Sequence, residues 1–139
     1  MRQVFVDTAA LVALGNRQDD WHARAVVVSR QLTLAGCRFV TTDAVLLEVG
    51  NTFSRAPFKP VALRLIETAW RSPRWRCIPV DRALLDRGIA LFRQRSDQDW
   101  SLTDCISILV ATDLGIGQAF TTDHHFTQAG LAILLGSRA

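Results

Sequence analysis

The 139-residue sequence predicts an α/β fold with a central, mostly parallel sheet of four to five strands and helices on both faces. Three observations lead there. Short runs rich in Val, Phe, Thr and Ile alternate with helical patterns of roughly ten residues, as right-handed βαβ crossovers require. Hydrophobic residues make up 49% and charged residues 21%, so one core can be buried without disulfides or metal staples. Four strand-like runs end in aspartate, at Asp7, Asp43, Asp81 and Asp123. In a parallel sheet these carboxylates project near one edge, the edge where such folds gather function.

Gln3–Val6 is the first strand, ending in Asp7-Thr8. Helix formers run from Ala9 to Leu14, and Gly15-Asn16 closes that helix. Asp19-Asp20 is placed to cap the next helix, Trp21 to Leu34, with Gly36 as its stop. Arg38 to Thr41 is the second strand. Thr42-Asp43 opens a third helix with Val45, Leu46, Val49 and Phe53 on its apolar side. Pro57 and Pro60 interrupt the chain before a fourth helix, Val61 to Trp70, which Pro73 ends. Trp75 to Val80 is the third strand, and Asp81 caps a fifth helix through Phe92. After a polar loop, Ser101 opens a sixth helix that Gly115 closes. Gln118 to Thr121 is the fourth strand, His124 to Gly130 a loop or single turn, and Leu131 to Leu135 a fifth, edge strand. With no repeat, low-complexity tract or linker, residues 1–139 are expected to form a single domain.

Several classes are excluded or disfavoured. No apolar run reaches the length of a membrane span. Asp7 falls where a secretory signal needs an uncharged core, so a cytoplasmic location is expected. Cys37, Cys77 and Cys105 form no Cys-x-x-Cys pair and read as buried free thiols. The net charge of +3 is weak evidence for nucleic acid by itself, but the surface is more positive than that figure if acids are gathered in one pocket.

Asp43 and Asp81, each just before a helical pattern, fit the role of N-caps. Asp7 ends the first, central strand, and no Lys or Arg lies near it in sequence to offset its charge. Glu48 lies one to two turns into the third helix, with Asn51 on its face. Ser101-Leu102-Thr103-Asp104 reads either as a capping box or as part of a site, and the two roles are compatible. Asp104 stands at the positive end of a nearly all-apolar, hence buried, helix. Asp123 precedes His124 and His125, of which at most one is expected to face the site. Carboxylates gathered at one sheet edge repel one another unless cations enter, and hard oxygen donors in that number suit Mg²⁺ or Mn²⁺.

Val4-Phe5-Val6-Asp7-Thr8, Glu48-Val49-Gly50-Asn51, Ser101-Leu102-Thr103-Asp104-Cys105 and Phe120-Thr121-Thr122-Asp123-His124-His125-Phe126 together resemble the PIN domain, and within it the VapC-type toxins of bacterial toxin–antitoxin pairs. The resemblance implies a three-layer α/β/α sandwich and a Mg²⁺- or Mn²⁺-dependent endoribonuclease. It carries the acidic residues over onto Asp7, Glu48, Asp104 and Asp123, with Asp7, Asp104 and Asp123 as metal ligands and Thr8, Asn51, Ser101 and Thr103 in support. Asp97 and Asp99 are looser candidates for a further acid. It also implies a homodimer, an antitoxin partner and an RNA substrate (tRNA, rRNA or mRNA). A housekeeping PIN nuclease in RNA maturation and a non-catalytic RNA-binding domain are the alternatives. A dinucleotide-binding fold is excluded, since Thr8-Ala9-Ala10 lacks the glycines of its phosphate turn.

Overall fold

Val4, Phe5 and Val6 have no exposed surface, because the strand they form lies at the middle of the sheet with apolar layers on both sides. The computed structural model describes residues 2–136. The chain runs β1 (Gln3–Val6), α1 (Thr8–Gly15), α2 (His22–Leu34), β2 (Arg38–Thr42), α3 (Asp43–Thr52), a 3-10 turn (Ala56–Phe58), α4 (Lys59–Arg71), β3 (Trp75–Ile78), α5 (Arg82–Gln94), α6 (Leu102–Asp113), β4 (Gln118–Phe120), α7 (His124–Gln128) and β5 (Ala132–Ile133).

The five strands are ordered β3-β2-β1-β4-β5, and every neighbouring pair is parallel. The chain builds outward from β1 to β2 and β3, then crosses back to add β4 and β5 on the other side. Between β1 and β4 the winding direction reverses. Connections on the two sides of such a point leave in opposite directions and open a crevice at the carboxyl ends of the two strands. Contacts group α1 with α2, α3 and α4, and group α6 with α5 and α7, while α3 also touches α6. Right-handed crossovers put the two groups on opposite faces of the sheet, giving three layers.

The layers follow from composition. In α6, Cys105, Ile106, Ser107, Ile108, Val110 and Ala111 are all buried, as expected of a helix that is apolar nearly all round. By contrast α4 and α5 bury only Ala62, Ala69, Leu84 and Gly88, so one narrow stripe of each packs and the rest faces solvent. Gly88 permits close approach in the α5–α6 seam: a Cβ there would lie 2.7 Å from Ile106 Cγ1. Among the described residues no helix is long and apolar enough to cross a membrane. The three cysteines are free thiols, two of them buried.

Four details differ from the sequence reading. Asp43 is not the cap of α3. Strand β2 stays extended through Thr42, so Thr42 is the cap and its Oγ1 accepts from the Val45 N–H at 3.3 Å, while Asp43 accepts from the Cys77 thiol at 3.4 Å. Burial, reinforced by that carboxylate, pushes the Cys77 thiol up to about 12. The Asp19-Asp20 pair does not cap α2, because the helix begins only at His22; Asp19 instead accepts from the Trp21 N–H at 2.8 Å and closes a turn. His124–Gln128 forms a short helix rather than a loop, and the edge strand shrinks to Ala132–Ile133. Asp81 caps α5 as expected, accepting from the Leu84 N–H at 2.8 Å.

The tryptophans divide in the same way. Trp100 is buried, donating from Nε1 to Gln128 at 3.0 Å beneath the Arg95 guanidinium, and Trp75 packs on Phe39. Trp70 remains exposed on α4.

Candidate active site

The parallel register of β1 and β4 sets the first part of the site. Val6 pairs with Phe120, so the next residues on the two strands, Asp7 and Thr121, stand side by side at the crevice. Asp7 occupies the cap position of α1 yet makes no side-chain capping bond. Its Oδ2 instead accepts from the Thr121 hydroxyl at 2.9 Å. The same Thr121 oxygen accepts from the Asp123 N–H at 3.0 Å, so one buried hydroxyl ties the first acid to the fourth.

Asp104 enters from the N-terminus of α6. Ser101 Oγ accepts from the Asp104 N–H and Asp104 Oδ2 accepts from the Ser101 N–H, both at 3.0 Å, so the full capping box is formed. That box holds Asp104 only 7% exposed, at the wall of the cleft. Asp123 caps α7, accepting from the His125 N–H at 2.9 Å. The His125 ring then folds back, with Nδ1 2.9 Å from Asp104 Oδ2 and 3.2 Å from Asp123 Oδ1. Glu48 reaches in from α3 and accepts from the Thr8 hydroxyl at 2.5 Å.

These residues line one cleft of about 490 Å³. Asp7, Glu48, Asp104 and Asp123 all face it, with Thr8, Ser101, Asp99, Asp19, Thr122 and His125. Asn51 and Thr103 are not among its lining residues, and Asp97 is exposed outside it, paired with Arg95 at 3.0 Å. No Lys or Arg lines the cleft among the described residues. Asp7 is 5% exposed, and burial pushes its carboxyl up to about 7. The charges of Asp104 and Asp123 push the same way, against the lowering hydrogen bonds from Thr8 and Thr121.

Thr121 joins this constellation without a role assigned from sequence, and of His124 and His125 only His125 lines the cleft, in keeping with the expectation that at most one faces it. In extended chain the two histidines would point opposite ways; in the structure His124 begins a helix, and its capped first turn aims His125 at Asp104.

A parallel five-stranded sheet with an acidic cleft at its switch point defines a class of acid-site α/β proteins. The PIN domain model matches residues 4–131, and the chain belongs to the PIN domain family. Among solved structures it is similar to VapC20 of Mycobacterium tuberculosis, described as a sarcin-ricin loop cleaving toxin, with 26% identity, a TM-score of 0.79, and coverage of 93% of this chain and 96% of that one. FitAcB from Neisseria gonorrhoeae (17% identity, TM-score 0.63, 94% and 95% coverage) shares the fold. So does VapBC2 from Rickettsia felis, solved bound to a DNA fragment from its promoter (13% identity, TM-score 0.65, 94% and 96% coverage). No curated protein sequence matches the chain.

Proposed function

We propose that this PIN domain is a divalent-metal-dependent endoribonuclease acting as the toxin of a toxin–antitoxin pair. One observation carries the reading: Asp7, Asp104 and Asp123, delivered by the end of β1, α6 and the end of β4, share with Glu48 a cleft that no Lys or Arg lines among the described residues. Such a cleft repels an RNA phosphate unless a cation enters it. The donors are hard oxygens, which fit Mg²⁺ or Mn²⁺. Asp7, Asp104 and Asp123 would hold the ion, and when bound it supplies an activated water and neutralises phosphate charge.

The chain's own residues prepare that chemistry. Thr121 orients Asp7, and Ser101 with His125 orients Asp104. Thr8 holds one oxygen of Glu48 and leaves the other for a water or the ion. Ala9, Val12 and Trp21 form the apolar side of the cleft, which limits competing solvent around the acids. Similarity to VapC20, a sarcin-ricin loop cleaving toxin, supports a structured RNA as substrate, and an antitoxin partner belongs to the toxin reading. A homodimer belongs to the same reading, since Leu47 on α3 and Leu63 and Trp70 on α4 leave large apolar side chains exposed. Action in the cytoplasm belongs to the same reading.

The test is cleavage of total RNA by wild type and Asp104→Asn, with product ends mapped. Expected are 5′-phosphate ends, loss of cleavage in chelator and loss in the variant. Activity that persists in chelator with 2′,3′-cyclic ends would overturn the reading. Toxicity on expression that Asp7→Asn abolishes separates a toxin from a housekeeping nuclease.

A further inference from the structure

At the rim of the cleft, Asp123, His124 and His125 bring three potential ligand atoms within 4.8 Å of one another. Asp123 Oδ1 lies 3.2 Å from His125 Nδ1 and 4.0 Å from His124 Nδ1. The two rings lean together with centroids 4.6 Å apart. His124 is 75% exposed, and beyond its approach to Asp123 its ring has no polar partner among the described residues. It does not line the acidic cleft. The capped first turn of α7, where Asp123 holds the His125 N–H, brings both imidazoles and the carboxylate into this one cluster.

We propose that Asp123, His124 and His125 form a second metal site, selective for a borderline ion of the Zn²⁺ type, at the edge of the acidic cleft. The donor set decides the selectivity. Two imidazole nitrogens and one carboxylate oxygen suit Zn²⁺, whereas Mg²⁺ takes oxygen donors almost exclusively. Tetrahedral Zn²⁺ with bonds of about 2.0–2.1 Å sets neighbouring donors about 3.3 Å apart. The Asp123–His125 spacing already matches; binding moves the His125 ring proton from Nδ1 to Nε2 and exchanges the 2.9 Å contact with Asp104 Oδ2 for the ion, while the exposed His124 ring turns to close its side. Asp123 Oδ1 would be common to this site and the oxygen site deeper in the cleft. An ion on the two histidines therefore withdraws Asp123 from the hard-ion site, so Zn²⁺ and Mg²⁺ or Mn²⁺ oppose each other.

The experiment is a Zn²⁺ titration of the metal-free protein, by calorimetry and by competition with a chromophoric chelator, on wild type, His124→Ala, His124→Gln and Asp7→Asn. His124 is exposed, so its variants keep the fold, and Asp7→Asn disables the oxygen site alone. Expected is one Zn²⁺ per chain, weakened at least tenfold in both His124 variants and changed less than threefold in Asp7→Asn. Visible absorption of bound Co²⁺ should show nitrogen-ligand, tetrahedral bands in wild type and lose them in His124→Ala. Zn²⁺ affinity untouched by His124 substitution, or lost equally in Asp7→Asn, overturns the proposal. Neither readout involves RNA, so failure here leaves the nuclease reading standing, and failure of that reading leaves this one.

Discussion

The Thr121 hydroxyl donates to Asp7 Oδ2 at 2.9 Å while its oxygen accepts from the Asp123 N–H at 3.0 Å. Thr121 is fully buried, so its bond to Asp7 is shielded from water, while the bond from the Asp123 N–H is partly buried. This residue converts the β1–β4 register into a fixed separation between two acids that come from residues far apart in sequence. Removing the hydroxyl leaves the buried Asp7 carboxylate short of a donor, at a cost of about 1–3 kcal/mol, and the part-buried Asp123 N–H short of its acceptor.

Thr121→Val keeps the shape of the side chain and removes only the oxygen. Divalent-ion affinity, measured by calorimetry, and RNA cleavage should each fall by about 10- to 100-fold, the usual effect of losing a group that orients a ligand. Thr127→Val, at an exposed α7 position outside the cleft and without such bonds among the described residues, serves as the control. Equal affinity in Thr121→Val and wild type would refute the orienting role.

The strand-end aspartates were readable from sequence because the parallel α/β pattern alone dictates that they share an edge. Which of them act in the cleft was less readable. Asp43 and Asp7 both end strands, but β2 lies one strand further from the switch point than β1 does, and only the strand order shows this. Capping patterns also cannot reveal where a cap's free oxygen points. Asp81 and Asp123 both accept a capping N–H, yet Asp123 alone lines the acidic cleft, because it follows β4 at the reversal. His125 depended on a helix too short for periodicity to announce. The parts lost to sequence reading were those set by register and by single turns.

Ser101 and Asp104 separate stability from chemistry. Ser101→Ala removes the acceptor for the Asp104 N–H and should cost about 1 kcal/mol in urea denaturation. Asp104 keeps its bonds from the Ser101 N–H and His125, so cleavage should stay within about threefold of wild type. Asp104→Asn retains an oxygen for the Ser101 N–H but loses the charge. Its stability should hold while cleavage drops by on the order of a hundredfold or more. A parallel loss of both properties in both variants would show that the box and the site are not separable.

In the α5–α6 seam, Gly88→Ala sets two effects against each other. Ala gains about 1 kcal/mol of helix propensity. Its Cβ would lie 2.7 Å from Ile106 Cγ1, which can move only by leaving the one χ1 rotamer that a β-branched residue strongly prefers in a helix, and overpacking costs about 1–3 kcal/mol. The overlap wins, and net destabilisation of roughly 1 kcal/mol is expected from urea titration. Adding Ile106→Ala should relieve the clash, so the double variant is less destabilised than the sum of the two single ones.

Asp7 gives the metal-free protein a pH dependence of definite sign. Burial raises its folded pKa to about 7, above its value in the unfolded chain. Between about pH 4 and pH 7 the folded state therefore binds more proton than the unfolded state, and stability falls as pH rises through that window. Each tenfold difference in proton affinity is worth about 1.4 kcal/mol. In chelator, wild type should lose about 2–3 kcal/mol from pH 5 to pH 8 relative to Asp7→Asn, which cannot titrate there but can still accept from Thr121. Adding Mg²⁺ or Mn²⁺ at pH 8 should recover stability in wild type far more than in the variant, because an ion that binds only the folded state stabilises it by mass action. Urea titrations at the two pH values, with and without the ion, check both halves; matching pH profiles for the two proteins would mean that Asp7 is not held protonated by the fold.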